Sequence, residues 1–311
     1  MHTDARTWFG LDIGGTKIEL VACGDGLDVG YRQRIATPTQ DYAAFVRSVG
    51  ELVEAAEAEL GRACDGIGIG LPGVVERASG RQLSANVPAL TGQRVGFDLQ
   101  QRLQRPLHLG NDLQCFALSE AHGGAAHGYA SMFGAILGTG AGGGFCVEGR
   151  LIAGFNGIAG EWGHWTVPAT LLAQYGLPML DCACGLRGCM ERYVSGSGLA
   201  LIHHHLGGET VDAGAIVALA HGGDAVAQRA LDIHRDLLGH GFAGLVLALD
   251  PHVIVLGGGL SKVERLYDEL PAAIAPHLFN GMRVPPILPP KFGDAGGARG
   301  AALLARQNAT P

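Results

Sequence analysis

Apolar residues recur along this chain in two patterns: short uninterrupted runs, and spacings of three to four residues. The short runs are typical of buried strands, and they lie at residues 7–13, 18–23, 27–36, 66–73, 107–112, 132–137 and 252–260. The helical spacing covers residues 41–60, 99–103, 113–122, 225–249 and 262–276, and it recurs from residue 191 onward and in the tail after residue 293. Strands that alternate with helices in this way predict the α/β fold class.

The segment 41–60 shows the helical pattern most clearly. Asp41 is predicted to be its N-cap, and Gly61 is predicted to end it. Residues 154–188, in contrast, contain many glycines and polar residues with little periodicity. They are predicted to form a long loop, and long loops in compact domains are usually functional.

Two glycine-rich turns occupy equivalent places in the two halves of the chain. The first reads LDIGGTK over Leu11–Lys17, and the second reads ILGTGAGGG over Ile136–Gly144. Each turn follows one apolar run and precedes another, so each is expected to join two strands of a hairpin. Glycine suits a turn that needs a positive φ or that brings a ligand close to the backbone. The glycines of the two turns that we consider are Gly14, Gly15, Gly138 and Gly140.

Two such turns in one chain predict a polyphosphate site. Successive backbone N–H groups in a glycine turn can form an anion-binding nest, and Thr16 and Thr139 add hydroxyl donors at matching places. Lys17 lies beside the first turn. Asp12 is expected to serve Mg²⁺ through water, because Mg²⁺ retains several of its waters. The alternative, in which each turn only connects two strands, stays open at the level of sequence.

Composition restricts the class of protein. The 311 residues are enough for two domains, and 47% hydrophobic with 16% charged residues is typical of a globular protein. The net charge of −7 argues against a nucleic-acid surface, which is usually basic. No apolar run approaches the roughly 18 residues of a membrane helix, and the first residues lack the apolar core of a signal peptide. We therefore expect a cytoplasmic protein with no nucleic-acid or membrane partner.

The chain has seven cysteines, and three of them form a cluster. Cys182, Cys184 and Cys189 follow His164 in the pattern H-x₁₇-C-x-C-x₄-C. One imidazole and three thiolates make a closed tetrahedral zinc site, which has no open position for water and is therefore structural. Three unligated thiols in a loop are the alternative. The four scattered cysteines are predicted to be buried thiols, and they are Cys23, Cys64, Cys115 and Cys146.

These motifs occur together in one known family. The DIGGTK turn, the Asn-Asp pair at 111–112, AGEWGH, the CxCGxxGCxE pattern over 182–191 and the GDAGGARGAA tail resemble the ROK-family sugar kinases of the actin/hexokinase-like ATPase superfamily. The resemblance covers essentially the whole chain. It implies two RNase H-like α/β domains with an interdomain cleft: a small domain of residues 1–112 plus about 295–311, and a large domain of residues 113–294. It also implies a homodimer.

The resemblance implies that Asp112 is the general base, which accepts the proton of the sugar hydroxyl that attacks the γ-phosphate. From the residues alone, Asp112 is equally suited to cap the helix that follows it. The family usually reads NDAN at this place, whereas this chain reads NDLQ. Leu113 and Gln114 therefore depart from the family pattern.

The same resemblance implies sugar-binding side chains, because carboxylates and amides suit vicinal hydroxyls. They are Asn86, Asn111, Glu161, His164 and Glu191. Without the resemblance, Glu161 and Glu191 would be interpreted as solvated loop charges. Gly257 and Gly258, which follow a buried strand, are implied to lie against the adenosine, although they equally suit a strand-to-helix turn. The implied cofactors are ATP, Mg²⁺ and a structural Zn²⁺.

The expected reaction is the ATP-dependent phosphorylation of N-acetyl-D-glucosamine to its 6-phosphate. The SANVPAL loop at 84–90 resembles the N-acetylglucosamine kinases. GEWGH and the stretch 260–267 resemble the fructokinases and mannokinases instead. A fructokinase, a mannokinase or a broad hexokinase of the same family is therefore the alternative.

Two remote alternatives come from other classes. The string GTGAGG over Gly138–Gly143 satisfies the dinucleotide pattern of an NAD-dependent dehydrogenase, but the residues after it predict a strand where that pattern needs a helix. A non-catalytic ROK regulator would carry a helix-turn-helix domain, for which the eleven residues before Asp12 are too few. The chain also lacks the P-loop pattern GxxxxGK[ST]. The three histidines 203–205 are predicted to lie on the surface.

Overall fold

The structure is a computed structural model, and it describes residues 6–84, 86–293 and 296–309. The contacts between residues divide the chain into two compact units. As far as its residues are described, the first unit comprises Met1–Gly123, Arg150–Ala159 and Asp294–Pro311, and the second comprises Gly124–Gly149 and Gly160–Gly293. Among the described residues, no helix is long and apolar enough to cross a membrane.

Strands and helices alternate along the chain, as the apolar pattern predicts. The strands are β1 (Trp8–Ile13), β2 (Lys17–Cys23), β3 (Val29–Ala36), β4 (Gly66–Leu71), β5 (Val74–Glu76), β6 (Arg81–Leu83), β7 (Leu107–Asn111), β8 (Ser131–Leu137), β9 (Ala141–Val147), β10 (Arg150–Leu151), β11 (Val253–Gly257) and β12 (Ile287–Leu288). The α-helices are α1 (Tyr42–Leu60), α2 (Val95–Leu103), α3 (Asp112–Ala121), α4 (Ala169–Tyr175), α5 (Glu191–Val194), α6 (Gly196–His205), α7 (Ala213–His221), α8 (Ala225–Leu249), α9 (Arg265–Ile274) and α10 (Gly296–Ala309).

Each unit has a mixed sheet, and the two sheets repeat one pattern. In the first unit the order is β3-β2-β1-β4-β7, with β1 antiparallel to β2 and parallel to β4. In the second unit β8 is antiparallel to β9 and parallel to β11, which in turn is parallel to β12. The two glycine turns connect β1 to β2 and β8 to β9. The sequence prediction that both turns are hairpin connections in equivalent places is confirmed.

Each sheet is covered by helices that bury an apolar face against it. In the first unit Phe45, Val49 and Val53 of α1 are fully or almost fully buried in the core that also holds β1 and β4. The predicted caps of α1 are confirmed, since the Asp41 carboxylate accepts a hydrogen bond from the backbone N–H of Ala44 and the helix ends at Gly61 with a φ of 67°. In the second unit the long helix α8 spans the core, as its apolar sequence predicts.

The C-terminal helix α10 packs closely on the first unit through glycines of its neighbours. A Cβ atom at Gly10 of β1 would collide with the carbonyl of Ala298, and one at Gly68 of β4 would collide with the carbonyl of Ala301. The buried Arg299 side chain donates hydrogen bonds to the Ser119 carbonyl and hydroxyl on α3, at 3.0 and 3.2 Å. Both α3 and α10 lie within the first unit, α3 in its segment that ends at Gly123 and α10 in its C-terminal segment.

Several sequence predictions differ from the structure. The loop predicted over 154–188 contains α4, and the helix predicted from residue 262 begins at Arg265 after a turn of 3₁₀ helix. The histidines predicted to lie on the surface include His203, which is 2% exposed. Its Nδ1–H donates to the carbonyl of Glu209, 3.0 Å away, so the ring joins the end of α6 to the next loop. The four scattered cysteines are buried, as predicted.

Candidate active site

The first glycine turn is held by hydrogen bonds to its own backbone. The Gly14 N–H donates to the Lys17 carbonyl at 2.9 Å. Thr37, which directly follows β3, donates its hydroxyl to the Gly14 carbonyl at 2.7 Å and its N–H to the Thr16 carbonyl at 3.1 Å. These bonds fix the turn while the Thr16 residue remains exposed at its tip.

The turn glycines do not adopt a positive φ, so this reason for glycine does not apply to them. Gly14, Gly15, Gly138 and Gly140 are all outside the left-handed region. A Cβ atom at Gly138 would meet no protein atom within 4 Å, and one at Gly15 would lie 3.1 Å from the carbonyl of Asn86. The backbone at Gly138 is therefore open on the side where a side chain would stand.

Asp12 lies beside the start of the C-terminal helix α10. A Cβ atom at Gly297 would lie 2.5 Å from Oδ2 of Asp12. The glycine pair of the tail thus lets the first turn of α10 approach the carboxylate closely, and the N-terminus of a helix favours negative charge. Lys17 begins β2 and is partly exposed.

The structure assigns the cap of α3 to Asn111 and leaves Asp112 as the first residue of the helix. The Asn111 side-chain oxygen accepts hydrogen bonds from the N–H groups of Leu113 and Gln114, at 2.9 and 3.3 Å. The alternative in which Asp112 is the N-cap is therefore wrong. The Asp112 carboxylate is partly exposed, and its Oδ1 also accepts from the N–H of Leu113 at 3.0 Å.

Both the oxygen and the nitrogen of the Asn111 side-chain amide form hydrogen bonds to the backbone. Its residue is buried, and its Nδ2 donates to the Gly73 carbonyl at 3.0 Å. The Pro72 carbonyl in the same turn accepts from the side-chain amide of Gln82 at 2.8 Å. The side-chain amide of Asn111 has two N–H groups. One donates to the Gly73 carbonyl, and the other is left for a ligand. Asn86, in contrast, is exposed beside the first glycine turn.

The second glycine turn is held by its own backbone and lies against the start of α6 and the residues after β11. The Gly138 N–H donates to the Gly140 carbonyl at 2.9 Å, and the Gly138 carbonyl accepts from the N–H of Gly196 at the start of α6, at 2.7 Å. Gly258, with a φ of 77°, follows β11 and lies so close that a Cβ atom there would be 2.5 Å from the Leu137 carbonyl. The structure therefore brings the predicted phosphate glycines of the second unit, and the predicted adenosine glycines Gly257 and Gly258, to one place, where Thr139 is exposed.

Glu191 contacts the second glycine turn. Its Oε2 accepts a hydrogen bond from the backbone N–H of Ala141 at 3.0 Å, and a Cβ atom at Gly140 would collide with the same oxygen. Its other oxygen lies 3.9 Å from the thiol sulfur of Cys182. The side chain that the sequence predicts as a sugar ligand thus connects the cysteine loop to the glycine turn.

The four predicted zinc ligands lie together. The ligand atoms of His164, Cys182, Cys184 and Cys189 all lie within 4.8 Å of one another. The two sulfur atoms of Cys184 and Cys189 are 3.6 Å apart, and the Cys182 sulfur is 3.8 Å from Nδ1 of His164. This donor set suits a tetrahedral Zn²⁺ site.

Short backbone pairings build the frame of this cluster. The Val167 N–H donates to the Gly188 carbonyl, and the Met190 N–H donates to the Trp165 carbonyl, both at 2.8 Å. They pair the segment after His164 with the segment around Cys189. The cluster therefore lies on a small irregular pair of segments, and Glu191, the first residue of α5, is separated from Cys189 by one residue.

Glu161 and His164 form a pair beside the cluster. Oε2 of Glu161 lies 3.8 Å from Nε2 of His164, the ring nitrogen that does not face Cys182. A carboxylate on the second nitrogen of a metal-binding histidine fixes the ring orientation. Burial raises the pKa of Glu161, the Glu191 carboxylate raises it further, and the His164 ring opposes them.

The AGEWGH segment is fixed by close packing on β9. The buried Trp162 ring N–H donates to the Gly142 carbonyl at 2.9 Å. A Cβ atom at Gly163 would collide with the carbonyl of Ala141, and Gly160 has a φ of 107°. These contacts fix the backbone before and after Trp162, and they therefore position Glu161 and His164.

The chain belongs to the ROK family, whose sequence profile matches residues 8–308. It is 47% identical to the N-acetylgalactosamine kinase AgaK of Shewanella sp. (strain ANA-3) over 96% of each chain. It is 42% identical to the N-acetyl-D-glucosamine kinase of Photobacterium profundum, over 96% of this chain and 98% of that one. Among solved structures, the ROK hexokinase of Thermus thermophilus has a TM-score of 0.86 and 33% identity, over 97% of this chain and 98% of that one.

The structure also excludes the dinucleotide-binding alternative and shows one residue that the sequence patterns did not indicate. After GTGAGG the chain continues in β9, antiparallel to β8, and a dinucleotide fold needs a helix at that place. The missed residue is Gln114, which is buried and donates from its side-chain amide to two backbone carbonyls. Its departure from the family pattern was the only signal in the sequence.

Proposed function

We propose that this protein is an ATP- and Mg²⁺-dependent kinase of an N-acetylated hexosamine, and that N-acetyl-D-glucosamine is converted to its 6-phosphate. The observation that carries the proposal is the pair Asn111 and Asp112. Asn111 caps α3, so the carboxylate of Asp112 is not needed for that purpose. The membership of the ROK family supports the same activity.

Asp112 acts as the general base of this proposal. Its carboxylate accepts the proton of the sugar hydroxyl while the hydroxyl oxygen forms a bond to the γ-phosphorus of ATP and the bond to the ADP oxygen breaks. The transition state of phosphoryl transfer is loose, so positioning and electrostatics supply most of the catalysis. A positioned base typically contributes about 10²–10⁴-fold.

The two glycine turns bind the phosphates of ATP in this proposal. Their Thr16 and Thr139 residues are exposed at the turn tips, and Lys17 adds a positive charge beside the first turn. Gly257 and Gly258 contact the adenosine. Asp12 serves Mg²⁺ through water, and the ion neutralises charge on the phosphates when it is bound.

The cysteine cluster holds a structural Zn²⁺ in this proposal. His164, Cys182, Cys184 and Cys189 fill the four positions of a tetrahedral ion, which leaves none for a reacting water. Glu161 precedes the cluster residues in the chain and Glu191 follows them. In this proposal both bind sugar hydroxyls, together with His164, Asn86 and Asn111. The zinc fixes the segments that carry them.

The identity of the sugar is supported at two levels. The relatives with 47% and 42% identity are named as kinases of N-acetylgalactosamine and N-acetyl-D-glucosamine, respectively, which share the N-acetyl group. These two sugars are epimers at one hydroxyl. N-acetylgalactosamine is therefore the second candidate substrate, and it replaces fructose and mannose as the main alternative.

Two further features belong to the proposal. A kinase that consumes ATP draws it from the cytoplasm, so we place the protein there. A homodimer is expected by resemblance to the family, and light scattering coupled to gel filtration tests it. A molar mass equal to one 32.2 kDa chain at micromolar concentration would contradict the dimer.

The test of the function is ADP release with ATP and Mg²⁺ and a panel of sugars, compared by kcat/KM. The panel contains N-acetylglucosamine, N-acetylgalactosamine, N-acetylmannosamine, glucose, mannose and fructose. We expect one of the first two to exceed glucose, mannose and fructose by about a hundredfold, since a site that hydrogen-bonds a substrate group strongly rejects analogues without it. No phosphorylation of any member would contradict the proposal, and identification of the product as a 1-phosphate would contradict the 6-phosphate.

A further inference from the structure

The side-chain amide of Gln114 makes two hydrogen bonds to one loop of its own unit. Its Nε2 donates to the carbonyls of Gly157 and Ala159, each at 3.1 Å. Gln114 lies in the first turn of α3 and is 4% exposed. A primary amide has two N–H donors, and here both are used on backbone groups of the same loop.

This loop, residues 152–159, otherwise has little that would hold its shape. It turns at Gly154 and Gly157, which have φ values of 81° and 75°. Its internal bonds are those from the Ala159 N–H to the Ala153 carbonyl at 3.1 Å and from Gly157 to Gly154 at 3.4 Å. Every residue from 152 to 158 is exposed, and Phe155 is 82% exposed.

The second attachment of the 152–159 loop is weaker. The guanidinium carbon of Arg77 lies 4.7 Å from the centre of the Phe155 ring. Both residues are exposed. Such a cation–π contact contributes little in water, whereas buried hydrogen bonds are costly to break. Gln114 is therefore the main attachment of this loop within the first unit.

We infer that Gln114 is a positioning residue for the sugar, and this inference rests on the proposed function. The loop that it holds continues along the chain through Gly160 into Glu161, the proposed sugar ligand. The helix from which it reaches begins with Asp112, the proposed base. The two hydrogen bonds therefore attach to α3 the residues Gly157 and Ala159, which precede Glu161 closely in the chain.

The same bonds explain the departure of this chain from the NDAN pattern. Glutamine has one methylene more than asparagine, and its amide reaches both carbonyls from the first turn of the helix. An asparagine at position 114 is too short to make both bonds with the backbone where it is. We therefore expect Gln114→Asn, which restores the usual family residue, to impair this protein.

The test compares Gln114→Met and Gln114→Asn with the wild type and with Gln100→Met as a matched control. Gln100 also lies on a helix, and its amide donates to one loop carbonyl, that of Arg105, at 2.8 Å. Methionine retains the length of glutamine and removes the donors. The measurements are KM for the sugar, KM for ATP, the melting temperature, and the rate of chymotrypsin cleavage after Phe155, identified by mass spectrometry.

We expect both Gln114 variants to raise KM for the sugar about tenfold, which corresponds to the loss of about one net hydrogen bond, with KM for ATP within about twofold of the wild type. Cleavage after Phe155 should be faster in both variants, and Gln100→Met should resemble the wild type in every measurement. A lower melting temperature with an unchanged sugar KM would assign Gln114 a structural role only and would overturn the inference. Cleavage after Phe155 at the wild-type rate would overturn the inference as well. This measurement tests the attachment of the loop even if the wild type is inactive on every sugar. Such inactivity would separately refute the proposed function.

Discussion

The carboxylate of Glu191 accepts a hydrogen bond of 3.0 Å from the backbone N–H of Ala141, the residue of the second glycine turn at which β9 begins. Glu191 is separated from the cluster residue Cys189 by one residue. The cysteine loop and the glycine turn of the second unit are therefore connected by one side chain. Changes at either feature are expected to reach the other through Glu191.

A substitution in the second glycine turn tests phosphate binding directly. A Cβ atom at Gly138 meets no protein atom within 4 Å, and its φ is one that alanine tolerates. Gly138→Ala should therefore fold with an unchanged melting temperature. If the phosphates approach this backbone closely, KM for ATP should rise at least about tenfold, a cost of roughly 1.4 kcal/mol.

Gly140→Ala provides the contrast to this substitution. The added Cβ atom collides with Oε2 of Glu191 and displaces it from the Ala141 N–H. We expect a lower melting temperature in this variant, since a buried donor loses its partner. An unchanged ATP KM in Gly138→Ala would remove the phosphates from that position of the turn.

Removal of the metal should disturb the sugar site. Cys184 is exposed, so Cys184→Ser is expected to fold but to lose zinc, because a hydroxyl is a poor replacement for a thiolate ligand. Calorimetric titration should then show the sugar Kd raised by at least about tenfold. Cys64→Ala, which changes a buried thiol of the first unit, is the control and should retain about one zinc per chain. Normal sugar affinity in zinc-free protein would contradict the role of the metal.

Buried His234 on α8 predicts a loss of stability in mild acid. Burial lowers its pKa to about 4, while hydrogen bonds to the backbone of Val194 and Ser195 oppose the shift. The neutral ring donates from Nε2 to the Val194 carbonyl at 2.9 Å. Below the ordinary histidine pKa of about 6.5 the unfolded chain binds a proton that the folded protein does not, so stability falls as the pH decreases from about 6.5 toward 4.

Urea unfolding at pH 7 and pH 5 measures this effect. The His234 contribution should reduce the free energy of unfolding of the wild type by about 2 kcal/mol between these values. His234→Gln can retain the donor to Val194 without the titration, so its loss should be smaller by that amount. The comparison cancels the protonation of the cysteine cluster, which both proteins share. Equal losses in the two proteins would show that His234 does not titrate in this way.

The parts of the fold that sequence patterns predicted are those that depend on local periodicity. The caps of α1 at Asp41 and Gly61, the length of α8, and the two glycine hairpins all follow from residues that are close in the chain. The four residues of the metal cluster were also predictable, because ligand type and spacing carry the chemistry. Each of these features needs little information from distant residues.

The features that were missed depend on particular side-chain hydrogen bonds and not on the periodicity of an element. Asn111 and Asp112 are both good capping residues, and only the backbone of α3 shows which of them accepts from the N–H groups. The burial of His203 depends on the loop at Glu209, and the two bonds of Gln114 depend on a loop more than forty residues away. Periodicity carries no information on such pairs.

The most direct test of the proposed mechanism is a comparison of Asp112→Asn with the wild type in two measurements, the Kd for the preferred sugar and kcat for ADP release. Asparagine is similar in size to aspartate, and the cap of α3 at Asn111 is not altered. We predict a sugar Kd within about threefold of the wild type and a kcat at least about a hundredfold lower, because the proton acceptor is lost. Near-normal turnover by Asp112→Asn would contradict the role of Asp112 and with it the proposed mechanism.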